Sequence, residues 1–488
     1  MALYVALIIL VPVIGSFLIP LTSVFGKTVR NVFALLLTIV TFAASIPLIM
    51  FVAGGGTEVI RWQIHDIVSV VFVVDSLSVF VASVSSFISA LIVFYSIGYI
   101  SHYENQNEYY LIVVLFVGSM MGIVFSANLF MIYTFWEIAA IACWRLIGFF
   151  RGNDTVWKAN KAFLITVFGA LVMLIGFILL YGEKGTADLT QMKGQTTSVL
   201  ITMFLLFGIL SKSATLPLQV WLPDAGVAPT PVTAILHAAV LVKIGIYVFA
   251  RIFTATLILP EFWQQWLPIV LAASSLIAAG AAFIDTDIKR IIAYSTISQI
   301  GFIFLGLTMF NPIGTSGGIL YILVHGLGKA GLFLCAGIVE QNTHVKDIRK
   351  LGGLFKRMPI TTVAFALCAF SIMGIPPLGG FFAKYQVIAS AVVSGKTWIA
   401  GVFVLAACMT MLYLFRVFNM VFLAPNDKSE VKADVKEGSP TMLITVIVLA
   451  VLSLASGFLM QYPLDFIKPA TQALSKATHV VLTIAGKP

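Results

Sequence analysis

Seven side chains able to hold a charge or pass a proton stand in stretches that are otherwise apolar. Glu137 lies in YTFWEIAAIACW, Lys212 in ILSKSATLPL, and His237 and Lys243 in ILHAAVLVKIGIYVF. His325 and Lys329 lie in YILVHGLGKAGLFLCAG, and Lys384 follows GIPPLGG. Ionisable residues inside apolar helices are costly and mark ion pathways or relays by default. Glu137 and Lys212 would each lose hydration on burial. Pairing them relieves both and leaves each close to a change of protonation. A static buried ion pair is the bland alternative, but such pairs are often no more stabilising than apolar replacements. A working role therefore accounts better for the cost. His325 and Lys329 are four apart, hence on one helix face, and an imidazole beside a desolvated ammonium suits a proton relay. Alone, His325 would read as a packing histidine. Lys243 and Lys384 sit too far inside their helices to reach water easily. Arg145 and Arg416 lie nearer helix ends and read as snorkelling, and Asp75 as a cap or a structural partner. Gly326, Gly328 and Gly331 match a dinucleotide fingerprint only formally, because no strand precedes them; small residues for helix packing explain them better.

The elements that must carry these groups are membrane helices. The chain has 488 residues, of which 60% are hydrophobic and 10% charged, with a mean hydropathy of +1.05. A soluble domain carries about 25% charged residues, so the fold is all-α and polytopic, with the lipid bilayer as its solvent. The formal net charge of +9 reads as basic loops on one membrane face. No basic stretch is interleaved with exposed aromatics, so no nucleic-acid partner is expected. Cys143, Cys335, Cys368 and Cys408 fall in apolar runs and form no C-x-x-C pair, against disulfide or metal-cluster use. No Walker loop, zinc motif, serine elbow or haem motif occurs, so no cofactor, no metal and no redox chemistry are expected in this chain. The first residues, apolar and without a basic n-region, read as a membrane helix rather than a cleaved signal.

At roughly 20 residues per span the chain yields about fourteen helices. They fall near 2–22, 31–53, 70–100, 109–126, 128–150, 160–181, 199–225 and 229–254, then 264–285, 291–310, 315–340, 360–388, 397–424 and 440–460. Segments 1–108, 109–254, 255–424 and 425–488 are the expected divisions, with the tail 461–488 mixed in character. An even number of helices puts both termini on one face. Alternate loops hold Lys27 and Arg30; Arg151, Lys158 and Lys161; Lys289 and Arg290; and Lys346, Arg349, Lys350 and Lys356. Those loops belong in the cytoplasm, and both termini outside. The loop 426–439 alternates acids and lysines and reads as a solvated surface stretch. Two helices are broken: Leu200 to Ala225, with Pro217 and Pro223, and Val363 to Ile388, with Pro376, Pro377, Gly379 and Gly380. Interrupted segments in corresponding positions of two halves point to repeats around a transport site. The likeness is of pattern rather than of letters.

Several motifs, in order, resemble the antiporter-like membrane subunits shared by respiratory complex I, complex I-type membrane-bound hydrogenases and Mrp cation/proton antiporters. They are VDSLSVF (74–80), the Glu137 segment, KAFLITVFGALVMLIGFILLY (161–181) and KSATLPLQVWLPDAGVAPTPVTAILHA (212–238). DIKRIIAYSTISQIGF (287–302), HGLGKAGLFLCAG (325–337), DIRKLGGL (347–354) and GIPPLGGFFAK (374–384) complete the set. The resemblance implies fourteen core helices with two inverted five-helix repeats, helices 4–8 and 9–13, each containing one broken helix. It makes Glu137 and Lys212 the coupled pair of a first half-channel and Lys243, with His237 nearby, the central relay. It makes His325 and Lys329 the onward carriers, and Lys384 the end of the path in the second half-channel. Cys143-Trp144-Arg145 departs from the small apolar residues usual there, and Gly226-Val227-Ala228 is a variant of the turn before Pro229. The chain stops soon after helix 14 without the long lateral helix of the largest complex I member. That favours a hydrogenase-type or middle subunit, or an Mrp component.

The leading expectation is a proton- or Na+-translocating, non-redox subunit of a redox-driven complex in the cytoplasmic membrane of a prokaryote. Iron–sulfur clusters, flavin or a NiFe centre would then sit in partner subunits, with related antiporter-like subunits alongside. The alternative is a component of an Mrp-type Na+/H+ antiporter without redox partners. A lipid-facing scaffold with vestigial charges is the third reading, and the complete charged row argues against it.

Overall fold

The computed structural model describes residues 1–63, 69–425, 429–431 and 435–469. Much of the loop 426–439 and most of the tail 461–488 lie outside the described residues. Helices dominate because long apolar runs satisfy every backbone group internally, as a bilayer requires. In chain order they are α1 (Ala2–Phe25), α2 (Lys27–Ala53), α3 (Ser76–His102), α4 (Gln106–Phe125), α5 (Leu129–Ile147) and α6 (Asn153–Lys184). Next come α7 (Val199–Lys212), α8 (Thr230–Thr254), α9 (Glu261–Ile284), α10 (Ile288–Thr308) and α11 (Pro312–Thr343). Helix α12 has two arms, Pro359–Met373 and Gly379–Val393, and α13 (Thr397–Leu423) and α14 (Pro440–Phe458) close the series. Twelve of these are long and apolar enough to span a membrane. The other two, α7 and α12, are the broken ones. Beyond Lys212, α7 continues only as short 3₁₀ turns, Gln219–Trp221 and Asp224–Val227.

Several expected boundaries move, α6 opening at Asn153 instead of near 160. The helix anticipated from residue 70 starts at Ser76, because Ser69–Val74 is a strand, β2, paired antiparallel with β1 (Glu58–Gln63) in the register Glu58 with Val74 to Gln63 with Ser69. The run Val70-Val71-Phe72-Val73-Val74 is β-branched and aromatic and suits a strand. Asp75 then starts the helix, accepting from the Ser78 amide at 2.8 Å within a reciprocal capping box. Apolar content alone could not separate a six-residue strand from a helix end.

The helices form two five-membered sets whose backbones repeat. Asn128 caps α5 and bridges to Asp188 beyond α6; Asp287 caps α10 and bridges to Asp347 beyond α11. Members of each pair stand 159 residues apart (287 − 128 and 347 − 188). Helices α6 and α11 are both 32 residues long and end on left-handed residues, Gly185 and His344. Both sets then break, at α7 and α12, and both close on a π turn, Ala250–Thr254 and Asn419–Leu423. Five crossings are an odd number, so the second set runs inverted relative to the first. Helices α8, α10 and α11 are buried along nearly their whole length, whereas α1, α2, α6, α13 and α14 keep broad apolar faces exposed. The buried trio forms the axis of the molecule, and the exposed faces suit lipid or neighbouring subunits.

Candidate functional site

Lys212, Lys243 and Lys384 lie at or near a break or turn in their helices, whereas Lys329 lies inside the unbroken α11. Lys212 is the last residue of α7 and fully buried. Its Nζ donates to the Trp136 carbonyl at 3.3 Å and lies 5.2 Å from the Trp136 ring centroid. Glu137, the next residue on α5, keeps Oε1 buried without a partner. Among the described residues no ion pair joins it to Lys212, contrary to the direct pairing expected. The reason lies in packing: α5 packs on α6 and α6 on α7, so only the lysine's long stem reaches α5, and it ends on the peptide before Glu137.

The second junction crosses from one helix set to the other. Lys243 on α8 and His325 on α11 meet with Nζ 2.9 Å from Nδ1, both buried. His325 Nε2 has no partner. The α8 helix is interrupted just before Lys243 by the π turn Ile235–Ala239, a feature often found at functional sites. His237 sits in that turn with both ring nitrogens unpartnered and its ring 4.5 Å from Phe333. One turn beyond His325, Lys329 donates to the Ile292 carbonyl at 3.1 Å and to Ser295 Oγ at 2.6 Å. Lys384, in the second arm of α12, donates to the Ile372 carbonyl at 2.7 Å and lies 4.9 Å from the Phe302 ring centroid. That carbonyl belongs to the last turn of the first arm, where free carbonyls and the helix dipole favour a cation. Lys384 also lines a cavity of about 580 Å³ between the second arm of α12 and α13.

A hydroxyl network that the sequence reading missed surrounds Lys329. Ser295 Oγ also accepts from Tyr413 at 2.8 Å, Gln299 Nε2 donates to Thr410 Oγ1 at 3.1 Å, and Tyr321 donates to Gln299 Oε1 at 2.6 Å. The spacing of Ser295 and Gln299, four apart in AYSTISQIGF, could have placed them on one face. Nothing in the sequence tied α13 to them. Chemically the row has one shared property. Among the described residues, Lys212, Lys243, Lys329 and Lys384 face carbonyls, hydroxyls, rings or an imidazole, and none is ion-paired with a carboxylate. Charge held by dipoles alone is sensitive to charge arriving at a neighbouring site. A hydrogen-bonded amine and imidazole can also pass a proton directly.

Several of the remaining charges have structural partners. Arg251 is bidentate to Asp75, at 2.6 and 2.9 Å, so Asp75 is both a cap and a structural partner. Arg145 pairs with Glu108, which also accepts from Arg151 at 2.7 Å, and Arg416 donates to the carbonyls of Phe283 and Asp285. Both arginines thus find protein groups rather than snorkelling, because helix ends and neighbouring carbonyls lie within their reach. Lys161 and Arg290 share Asp224 at 2.8 Å each, and Lys289 and Lys346 share Glu340 at 3.0 and 3.1 Å. These expected loop cations cluster on one face of the molecule.

A fold of two inverted five-helix sets around a buried lysine–histidine row defines a class of membrane ion-transport subunits, and the sequence carries its mark. Residues 126–410, more than half of the chain, match the family described as "NADH:quinone oxidoreductase/Mrp antiporter, TM". Residues 64–110 match "NADH-Ubiquinone oxidoreductase (complex I), chain 5 N-terminus". The chain belongs to this family of antiporter-like membrane subunits. It is 31% identical to the Na(+)/H(+) antiporter subunit A1 of Staphylococcus haemolyticus over 97% of its own length and 63% of that protein's. It is 33% identical to the NADH-quinone oxidoreductase subunit L of Campylobacter jejuni, over 85% of this chain and 70% of that one. A chain in the structure of the Mrp complex from Dietzia sp. DQ12-45-1b shares the fold, with a TM-score of 0.87 at 24% identity, covering 97% of this chain and 98% of that chain. The chain therefore spans just under two thirds of the Staphylococcus protein.

Proposed function

We propose that this chain translocates protons along the row Glu137, Lys212, Lys243, His325, Lys329 and Lys384, with His237 beside it, as one subunit of a multi-subunit membrane complex. The single observation that carries the reading is the 2.9 Å contact of Lys243 with His325. It links a helix of the first set to a helix of the second, which a path through both half-channels requires. Glu137 biases Lys212 through space rather than by contact, and Lys384 ends the path beside its open cavity. The face that gathers Lys161, Arg290, Lys289 and Lys346 is cytoplasmic on the positive-inside rule, which puts the residues near Met1 outside.

For the parent complex we favour Na+/H+ exchange of the Mrp type, because the Staphylococcus relative bears that name and matches 97% of this chain. The redox-driven complex is the second reading, supported by the name and 85% match of the Campylobacter relative. In that case electron-transfer groups belong to partner chains. Purification of the complex from its native membrane separates the two. An outward sodium gradient that acidifies the vesicle lumen and alkalinises the medium, with no iron or flavin in the preparation, supports exchange. Proton movement that needs an electron donor, with iron or flavin co-purifying, supports the redox complex.

A further inference from the structure

The outer helix α13 turns two hydroxyls inward, and both belong to the network around Lys329. Thr410 and Tyr413 on α13 are fully buried, as are Ser295 and Gln299 on α10 and Lys329 on α11. Ser295 Oγ is the hub, with Lys329 Nζ at 2.6 Å and Tyr413 Oη at 2.8 Å. Tyr413 Oη has a second acceptor within reach, Thr410 Oγ1 at 3.3 Å. Thr410 gives its own proton to the Ala406 carbonyl at 2.8 Å and accepts from Gln299 Nε2 at 3.1 Å. A hydroxyl oxygen has two acceptor positions, so the second is open to Tyr413. The other titratable groups around Lys329 are His325 on its own helix, His237 and Lys243 on α8 and Lys384 on α12. Among the described residues none of these bonds Ser295.

A buried ammonium and a buried amine need opposite things from the same neighbour. The ammonium carries only hydrogens, so Ser295 has to accept from it. The neutral amine has a lone pair, which is costly to leave unpaired away from water. Tyr413 lets Ser295 serve both. With Lys329 charged, Ser295 accepts from Lys329 and turns its own proton to Tyr413, whose hydroxyl donates to Thr410. With Lys329 neutral, Ser295 turns its proton to the Lys329 nitrogen, and Tyr413 donates to Ser295. We propose that Tyr413 is a positioning residue for the Lys329 step: its hydroxyl swings between Thr410 and Ser295 as Lys329 gains and loses its proton. No proton leaves Tyr413, Ser295 or Thr410; two hydrogen bonds reverse direction. A phenylalanine would fill the same space and leave Ser295 without that partner in either state.

This inference rests on the ion-translocating reading above, and the experiments separate the two. In vesicles matched for assembled complex, Tyr413→Phe is expected to lower the maximal transport rate about tenfold, with the half-saturating ion concentration within about twofold of native. The double substitution Tyr413→Phe with Ser295→Ala should be no slower than Ser295→Ala alone, because Tyr413 acts through Ser295. Thr410→Val should slow transport in the same way, and Thr410→Ser should restore it. A native rate in Tyr413→Phe or in Thr410→Val overturns the proposal. So do losses that multiply in the double variant, a rise in half-saturation in place of the lost rate, and a slow Thr410→Ser. Native vesicles that move no ion overturn the translocation reading instead, and the infrared spectrum of the complex then decides this one. The C–O stretch of Tyr413, isolated by difference from Tyr413→Phe, should shift between acid and alkaline pH in the native complex and stay fixed in Lys329→Met. A band that stays fixed in the native complex, or that shifts in Lys329→Met, overturns the proposal.

Discussion

At the scale of single residues, what matters is whether a charge has a fixed counter-charge. Arg251 has one in Asp75, whereas Lys243 has only His325. Lys243→Ala should lower ion uptake by at least about tenfold, equivalent to roughly 1.4 kcal/mol of barrier. His237→Ala should cost less, because both His237 nitrogens are already unpartnered and water can fill the space. The reverse order, in vesicles matched for assembled complex, would remove Lys243 from the centre of the row. At the end of the row, Lys384→Met keeps the length but carries no proton, so transport should be abolished. Lys384→Arg keeps a charge that is never released and should fail nearly as badly. An arginine variant transporting like the native protein would mean that Lys384 is a fixed charge and that the path ends at Lys329. Glu137→Gln should impair coupling while leaving assembly intact, since Glu137 touches no cation directly.

At the scale of elements, the break in α12 depends on backbones packed too closely for side chains. A Cβ on Gly380 would lie 1.7 Å from the Ser371 carbonyl oxygen, so the two arms of α12 cannot both stay in place in Gly380→Ala. Separating them pulls Lys384 off the Ile372 carbonyl. Uptake should fall more steeply than the yield of assembled complex, and an equal fall in both would make the glycine merely structural. The Asp75–Arg251 pair locks the start of α3 to the end of α8. Removing one partner of a buried pair costs about 3–5 kcal/mol, and replacing both costs less. Arg251→Met should therefore lower the thermal unfolding midpoint in detergent more than the double substitution Asp75→Asn with Arg251→Met.

At the scale of the whole molecule, the buried row occupies the axis and the apolar outer helices face lipid or neighbours. On the function proposed above, movement against a gradient is driven by partner subunits. The isolated chain in liposomes is expected to build no ion gradient from any redox donor, while the complete complex does so from sodium or from its donor. A gradient built by the chain alone would overturn the proposal that it works as one subunit of a larger assembly. The 159-residue offset adds a constraint, because the same caps and bridges recur in both sets with different side chains around them.

The sequence by itself determined the class of fold and the cast of charged residues. Twenty-residue apolar runs admit little but helices in a bilayer, and a lysine such as Lys243 or Lys329 in such a run is conspicuous whatever surrounds it. The prolines and glycines at 217, 223, 374, 376 and 377 likewise announced both breaks. Only the tertiary structure decided who meets whom. It put Lys212 on the Trp136 carbonyl instead of the Glu137 carboxylate, joined Lys243 to His325 across the two sets, and brought Tyr413 to Ser295 from a helix more than a hundred residues away. It also made residues 69–74 a strand, because their partner at 58–63 is a pairing choice that local pattern does not contain. Helix formation is a local property of the chain, settled by apolar length and backbone hydrogen bonding within a few residues. Which side chain fills another helix's groove depends on how all fourteen helices pack at once.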